Sequence, residues 1–403
     1  MNRRIAKLAA VTFVAGALAL TGCGSRAGNT TTGSSGGATK IAKIGVIAPL
    51  SGDLSALGLG IKNSVDLAIK QANDSNAIPG WKLELAAEDD QATPDVGKNA
   101  ATKLSSDDQV VGVVGTLNSS VAQSVTPVLQ PAHIVQISPA NTNPTLTQGK
   151  DTANPARPYD NYFRTCTTDA VQGPTAATYL LSVGIKNVAT IHDKKSYGQG
   201  LVEAFTKAFT KGGGTVVAAQ TINPDDKDFS AVITNVKGAN PAAVYYGGEY
   251  PQAGPLSKQM KAAGLNVPLM GGDGIYDPAY IDLAGSAANG DLATSVGAPV
   301  ETLASAKAFV SAYQAAGYKD PYAAYGAQSY DAANAIINAL KTSLAKATDA
   351  KSARADTVKA VGSVSFDGAT GKIAFDQYGD AVSKVITVYK VTNGKWGTEK
   401  TLS

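Results

Sequence analysis

The chain has 403 residues, 44% of them hydrophobic and 17% charged, with a formal net charge of +3. Three of its 35 basic side chains, Arg3, Arg4 and Lys7, lie in residues 1–22 with no acidic partner, so removal of that segment leaves 32 basic against 32 acidic groups. A neutral chain argues against a nucleic-acid partner or a surface that seeks polyanions.

In chain order the first feature is an export signal. Arg3, Arg4 and Lys7 precede an apolar run, Leu8 to Leu20, that is short for a bilayer span, and Leu20-Thr21-Gly22-Cys23 follows. The quartet resembles the lipobox of bacterial lipoproteins, which implies cleavage before Cys23 and acylation of that cysteine. Gly24 to Thr39 has almost no apolar content and reads as a flexible tether with an r.m.s. span of roughly 20–24 Å. Residues 1–22 are therefore expected to be a signal peptide, and 23–39 a lipidated cysteine and tether that hold the folded part at the outer face of the cytoplasmic membrane. No later stretch offers ~18 uninterrupted apolar residues. With Cys23 acylated, Cys166 is alone and no intrachain disulfide forms. Cys166 itself reads as a small buried apolar residue. The two histidines, His133 and His192, sit in no Cys/His cluster, so neither a metal nor a cofactor is expected.

From Lys40 the pattern alternates strand and helix, as in parallel α/β sheets. Strands are expected at Ile41–Ala48, Trp81–Ala87, Val110–Val114 and Ile134–Ile137. Helices fall between them, one carrying Ile61, Val65, Ala68, Ile69 and Ala72 on a single face, one opened by Thr93-Pro94-Asp95, and one from Ser119 to Leu129. The rhythm restarts near Asp169. A helix to Leu181 is followed by strands Val188–Ile191, Thr215–Ile222, Ala243–Tyr246 and Pro268–Gly271, with helices Gly198–Phe209, Phe229–Val236 and Gly254–Ala263. The tail adds helices at Ala304–Ala316 and Ala323–Leu344 and strands at Val364–Phe366, Ile373–Phe375 and Val385–Val391, and its pattern fits a return to either half. About 360 residues beyond the tether suit two α/β lobes better than one core.

Enzyme signatures are missing. Gly58-Leu59-Gly60 lacks the third glycine of a dinucleotide loop, and no Walker A loop or G-x-S-x-G elbow occurs. Glu88-Asp89-Asp90 at a strand end reads as a solvated edge or helix-facing loop, not a glycosidase pair. What remains is a set of polar groups after strand C-termini, where open α/β sheets place ligands. Ser119, following Gly115-Thr116-Leu117-Asn118, fits an anion-holding hydroxyl at a helix start and a plain N-cap equally well. Pro139-Ala140-Asn141-Thr142, Tyr197 and Met270-Gly271-Gly272-Asp273-Gly274 hold matching places after other strands.

Four motifs carry a family resemblance: Gln172-Gly173-Pro174-Thr175-Ala176-Ala177; His192-Asp193-Lys194 with Tyr197-Gly198-Gln199-Gly200; Lys227-Asp228-Phe229-Ser230; and Tyr245-Tyr246-Gly247-Gly248. From Lys40 to about Leu402 the chain resembles the leucine/isoleucine/valine-binding family of solute-binding proteins that feed ABC importers. The resemblance implies a type I periplasmic-binding-protein fold: two doubly wound parallel-sheet lobes joined by three crossovers near Thr168, Gly297 and Thr387. Residues 40–168 plus 297–386 would form lobe 1, and 169–296 plus 387–403 lobe 2. It further implies a monomeric, non-enzymatic protein that holds an amino acid between the lobes and passes it to a membrane permease. Ser119 and Thr142 would hold the ligand's α-carboxylate. The Ala140 carbonyl, Thr142 and Asp273 would hold its α-ammonium, and Tyr197 would touch it on closure.

The chain departs from the family's archetypes at several of these positions. Their disulfide is replaced around Asp90 to Ala92 and at Asn118, Leu57 stands where they carry an aromatic residue, and Glu249 stands for a second-lobe tyrosine. Either Glu249 points away, with Tyr250 in the cleft and an aliphatic ligand, or it faces in and favours a ligand with an added donor or positive charge. The first arrangement is the expected one. Receptors for short amides, urea, aromatic acids or cationic amino acids, and a ligand sensor for a membrane kinase, are the competing functions.

Overall fold

The computed structural model describes residues 39–151 and 153–402. The signal segment, Cys23 and the tether lie outside them.

Five strands, β1 (Lys40–Ala48), β2 (Trp81–Asp89), β3 (Val110–Gly115), β4 (Val135–Ser138) and β5 (Tyr162–Arg164), form a parallel sheet in the order β2-β1-β3-β4-β5. β3 and β4 are fully buried; β3 reads as a continuous apolar and glycine run, as strands covered on both faces do, while β4 carries Gln136, whose amide is paired with Thr126 and the Gly115 carbonyl. The second sheet takes β6 (Asn187–His192), β7 (Thr215–Thr221), β8 (Ala243–Gly247), β9 (Leu269–Gly271) and β10 (Leu292–Val296). Its order continues β7-β6-β8-β9-β10. A small antiparallel hairpin, β11 (Phe366–Gly368) and β12 (Gly371–Ile373), precedes the last two strands, β13 (Ile386–Thr392) and β14 (Lys395–Leu402). These last two extend the second sheet antiparallel beyond β10, so the second lobe is parallel with an antiparallel edge.

The tail divides between the lobes. Helix Gly326–Ser343 packs on helix Ser55–Asp74 and against β3 and β4, and helix Arg354–Val361 also packs on β3 and β4, whereas β13 and β14 belong to the second sheet. The chain therefore passes between lobes three times: after β5, after β10 and before β13. In each sheet the strand order reverses once, between β1 and β3 in the first and between β6 and β8 in the second. At such a switch point the connections leave opposite faces and open a crevice beyond the strand C-termini.

Thr93 does not act as the side-chain cap expected of it. It occupies the N-cap position of helix Pro94–Ser106, but its hydroxyl donates to the Gln91 carbonyl instead. Nor is the Glu88-Asp89-Asp90 run a solvated edge. Asp89 accepts from Leu50 N, Ser51 Oγ and Gln91 N, and Asp90 is buried. Cys166 is buried, with its thiol on the Asn141 carbonyl at 3.4 Å.

Candidate functional site

The two switch points face each other, and one pocket joins them. Leu57 follows β1, Leu117, Asn118 and Ser119 follow β3, and Ala140 follows β4. From the second lobe, Tyr197 follows β6, Glu249 follows β8, and Asp273 and Gly274 follow β9. Tyr325, just before helix Gly326–Ser343, completes the wall. The side chains close on a void of about 20 Å³. Thr142 and Tyr250, also expected at the ligand, are not on this wall.

Asp273 is one of the lining residues. Its carboxylate is fully buried and accepts from Gln172 Nε2, Tyr197 Oη and Tyr325 Oη, each at 2.8 Å. Burial raises its pKa, while the bonds from Gln172, Tyr325 and Tyr197 pull it back down. Gln172 turns its other face to the Asp273 backbone, Oε1 accepting from Asp273 N at 3.1 Å. The same amide also reaches Asp169 Oδ1 at 3.2 Å, so two carboxyl groups share one donor. Burial and then the Asp273 charge push Asp169 up to about 7. Thr142 Oγ1 and Asp169 Oδ2 each lack a partner with hydrogen-bond geometry, although the hydroxyl still counts among the influences lowering Asp169.

At the start of helix Ser119–Leu129, Ser119 is the first helical residue and Asn118 the cap, with no side-chain cap bond. Ser119 is therefore not the plain N-cap that spacing allowed. Its Oγ is buried without a partner, next to a helix start whose N–H groups carry partial positive charge. An orphan hydroxyl costs about 1–3 kcal/mol unless something pairs with it, so this corner suits a small anion.

Glu249 faces the pocket, and the expectation that it points away is overturned. Its Oε1 accepts from Asn118 Nδ2 of the other lobe at 2.7 Å, and its Oε2 pairs with Lys195 Nζ at 3.0 Å. Burial drives the Glu249 pKa up, but the Lys195 charge and the surrounding donors more than offset this and leave it below the ordinary range. Asp193 beside it is pushed up to about 8 by burial and by the Glu249 charge. Tyr250 takes a different role, opening helix Tyr250–Ala262 with its hydroxyl on the Asp53 carbonyl of the first lobe. Gly248, just before Glu249, has φ +154° and leaves no room for a Cβ beside the Tyr246 ring, so the turn that leads into Glu249 requires glycine.

Gln172, Lys195, Asp193 and Tyr325 were not singled out for this site from sequence. Three of them stand within or beside the quoted motifs. Tyr325 is hidden in an alanine-rich run that reads as helix interior.

The profile of the periplasmic binding protein family matches residues 42–395. The chain belongs to that family. Among curated members of the periplasmic binding protein family, the Leu/Ile/Val-binding protein homolog 3 of Brucella melitensis is 34% identical over 358 residues, covering 87% of this chain and 92% of its own. The leucine-specific-binding protein of Salmonella typhimurium is 34% identical over 339 residues, covering 84% and 87%. Of solved structures, the branched-chain amino acid transporter substrate binding protein LivJ of Streptococcus pneumoniae, in complex with isoleucine, aligns with a TM-score of 0.78 at 27% identity. It covers 90% of this chain and 99% of its own.

Proposed function

We propose that this periplasmic binding protein captures a branched-chain amino acid, leucine, isoleucine or valine, between its lobes and delivers it to the permease of an ABC importer. The observation that carries the reading is a single pocket that combines a buried charge, a free hydroxyl at a helix start and apolar side chains. The buried Asp273 carboxylate, the partnerless Ser119 hydroxyl at a helix start, and the apolar Leu57 and Leu117 all line it. An α-amino-acid zwitterion loses hydration at both of its charges on entry and needs fixed charge-assisted partners for each. Ala140, on the same wall, adds its carbonyl as an acceptor for the ammonium. The inward Glu249 is neutralised locally by Lys195, which removes the main objection to an aliphatic side chain nearby.

A void of about 20 Å³ has room for a water and not for a branched side chain. The lobes therefore part about the three crossovers to admit ligand and close again around it. The chain binds and does not transform its ligand. It acts as a monomer, outside the cytoplasm, held to the membrane by acylated Cys23.

The test is thermal unfolding of protein stripped of carried-over ligand, titrated with leucine, isoleucine, valine, cationic amino acids and short amides. A ligand at 100 times its Kd adds about 2.7 kcal/mol. Stabilisation by the three branched-chain amino acids is expected. Stabilisation by amides or cationic amino acids alone would overturn the ligand assignment.

A further inference from the structure

A second cavity, a groove of about 650 Å³, runs across the cleft and shares no lining residue with the amino-acid pocket. Sites for small molecules span roughly 300–1,000 Å³. Both lobes wall the groove: Tyr276 and Trp396 stand on the side of the seven-stranded sheet, and Tyr322, which packs on Phe309, stands on the other.

The rings form a corner. Tyr276 backs onto Tyr389 with centroids 4.0 Å apart, Trp396 meets Tyr276 at 58° and 5.7 Å and Tyr280 at 36° and 5.4 Å, and Tyr276, Tyr389 and Trp396 all line the groove. Its charge is one-sided, because Asp277, Asp282 and Glu301 line it against Lys395 alone. Two of these carboxylates already have partners. Asp277 caps a short helix by accepting from Ala279 N at 2.8 Å, and Glu301 accepts from Tyr322 Oη at 2.6 Å. The indole N–H of Trp396 is likewise spent on the Asp277 carbonyl at 3.0 Å.

We propose that this groove is a second ligand site, which takes an organic cation bearing a methylated ammonium head. Negative charge and aromatic rings on one wall together attract a cation. A primary ammonium is strongly hydrated and brings three N–H donors that must each be re-satisfied on leaving water, so contact with rings favours a methylated head. A quaternary head has no donors to satisfy. Burial also raises the pKa of Asp277, a cost that a cation beside it relieves.

Choline and its uncharged carbon isostere 3,3-dimethylbutan-1-ol, titrated calorimetrically into the whole protein, test this. Choline is expected to bind, with the isostere at least roughly tenfold weaker. Trp396→Ala and Glu301→Gln, one on each side of the groove, should each weaken choline by about tenfold while leaving leucine affinity in place. Glu301 is exposed, so its variant serves even where Trp396→Ala fails to fold. No choline binding up to about 10 mM, equal binding of the isostere, or full binding by both variants would each overturn the proposal.

Discussion

Asp273 and Glu249 are both buried carboxylates of the pocket, and their surroundings give them different work. Among the described residues Asp273 meets three neutral donors and no cation, which on the proposed reading leaves its charge for the ligand. Asp273→Asn keeps the shape and removes that charge. It should cost at least about 2 kcal/mol, or about 30-fold in leucine affinity, since a charged partner is then buried unpaired, and calorimetry showing near-normal affinity would remove Asp273 from the ammonium site. Glu249 spends its charge on Lys195 and on holding a proton at Asp193. Asp193 keeps that proton to about pH 8 in the folded protein against 3.8 as its ordinary value. The folded state thus binds the extra proton between those limits, and this group's contribution to stability falls as pH rises through that window. In Glu249→Gln the repulsion is gone, Asp193 ionises lower and pairs with Lys195, and the fall shrinks. Melting temperatures between pH 6 and 8.5 should decline less steeply in the variant than in the wild type, and parallel profiles would show that Glu249 does not set the Asp193 proton.

The meeting of two elements brings Glu249 and Tyr197 close enough to share one pocket. Helix Ser196–Lys211 starts directly against the end of β8, and a Cβ on Gly198 would collide with the Gly247 carbonyl and with Asp193 Oδ1. Gly198→Ala should cost about 1–3 kcal/mol by overpacking and should weaken leucine binding too, because the strain is relieved by moving Tyr197 or the Gly-Gly turn. A melting temperature and an affinity both unchanged would show that the approach is loose. Elements with strong local signals were legible in the sequence. Val110–Gly115 is an unbroken apolar and glycine run, and helix Ser119–Leu129 falls where spacing placed it. Elements set by distant contacts were not. β5 is three residues long and contains Arg164, wholly buried because it meets Asp380 at 2.7 Å and donates to the carbonyls of Asn141 and Asn143. β14 is an edge strand exposed along most of its length, so it carries no apolar period. Within the site, residues that follow strand ends could be read from the parallel-sheet rule. Tyr325 could not, because only the fold carries its hydroxyl to Asp273.

Contacts between the lobes exist only while the cleft is closed, so they contribute to ligand affinity without touching ligand. One such cluster stands apart from the pocket wall. Ser196, at the start of its helix in the second lobe, accepts on Oγ from Gln123 Nε2 and from Asn143 Nδ2 of the first lobe, both at 3.0 Å. The Asn143 amide also reaches the Ser196 carbonyl at 2.7 Å. Ser196→Ala deletes the two hydroxyl bonds and keeps the third, and it leaves each lobe's interior intact. Two partly exposed hydrogen bonds are worth about 0.5–1.5 kcal/mol each, so leucine affinity should fall roughly 5- to 160-fold. The loss should appear in the dissociation rate, because association depends on the open form, in which the bonds are absent. The unliganded melting temperature should barely move if the free protein rests open. A variant with a faster association rate and unchanged dissociation would instead show that Ser196 holds the empty protein shut, so that parting the lobes is the step that limits capture.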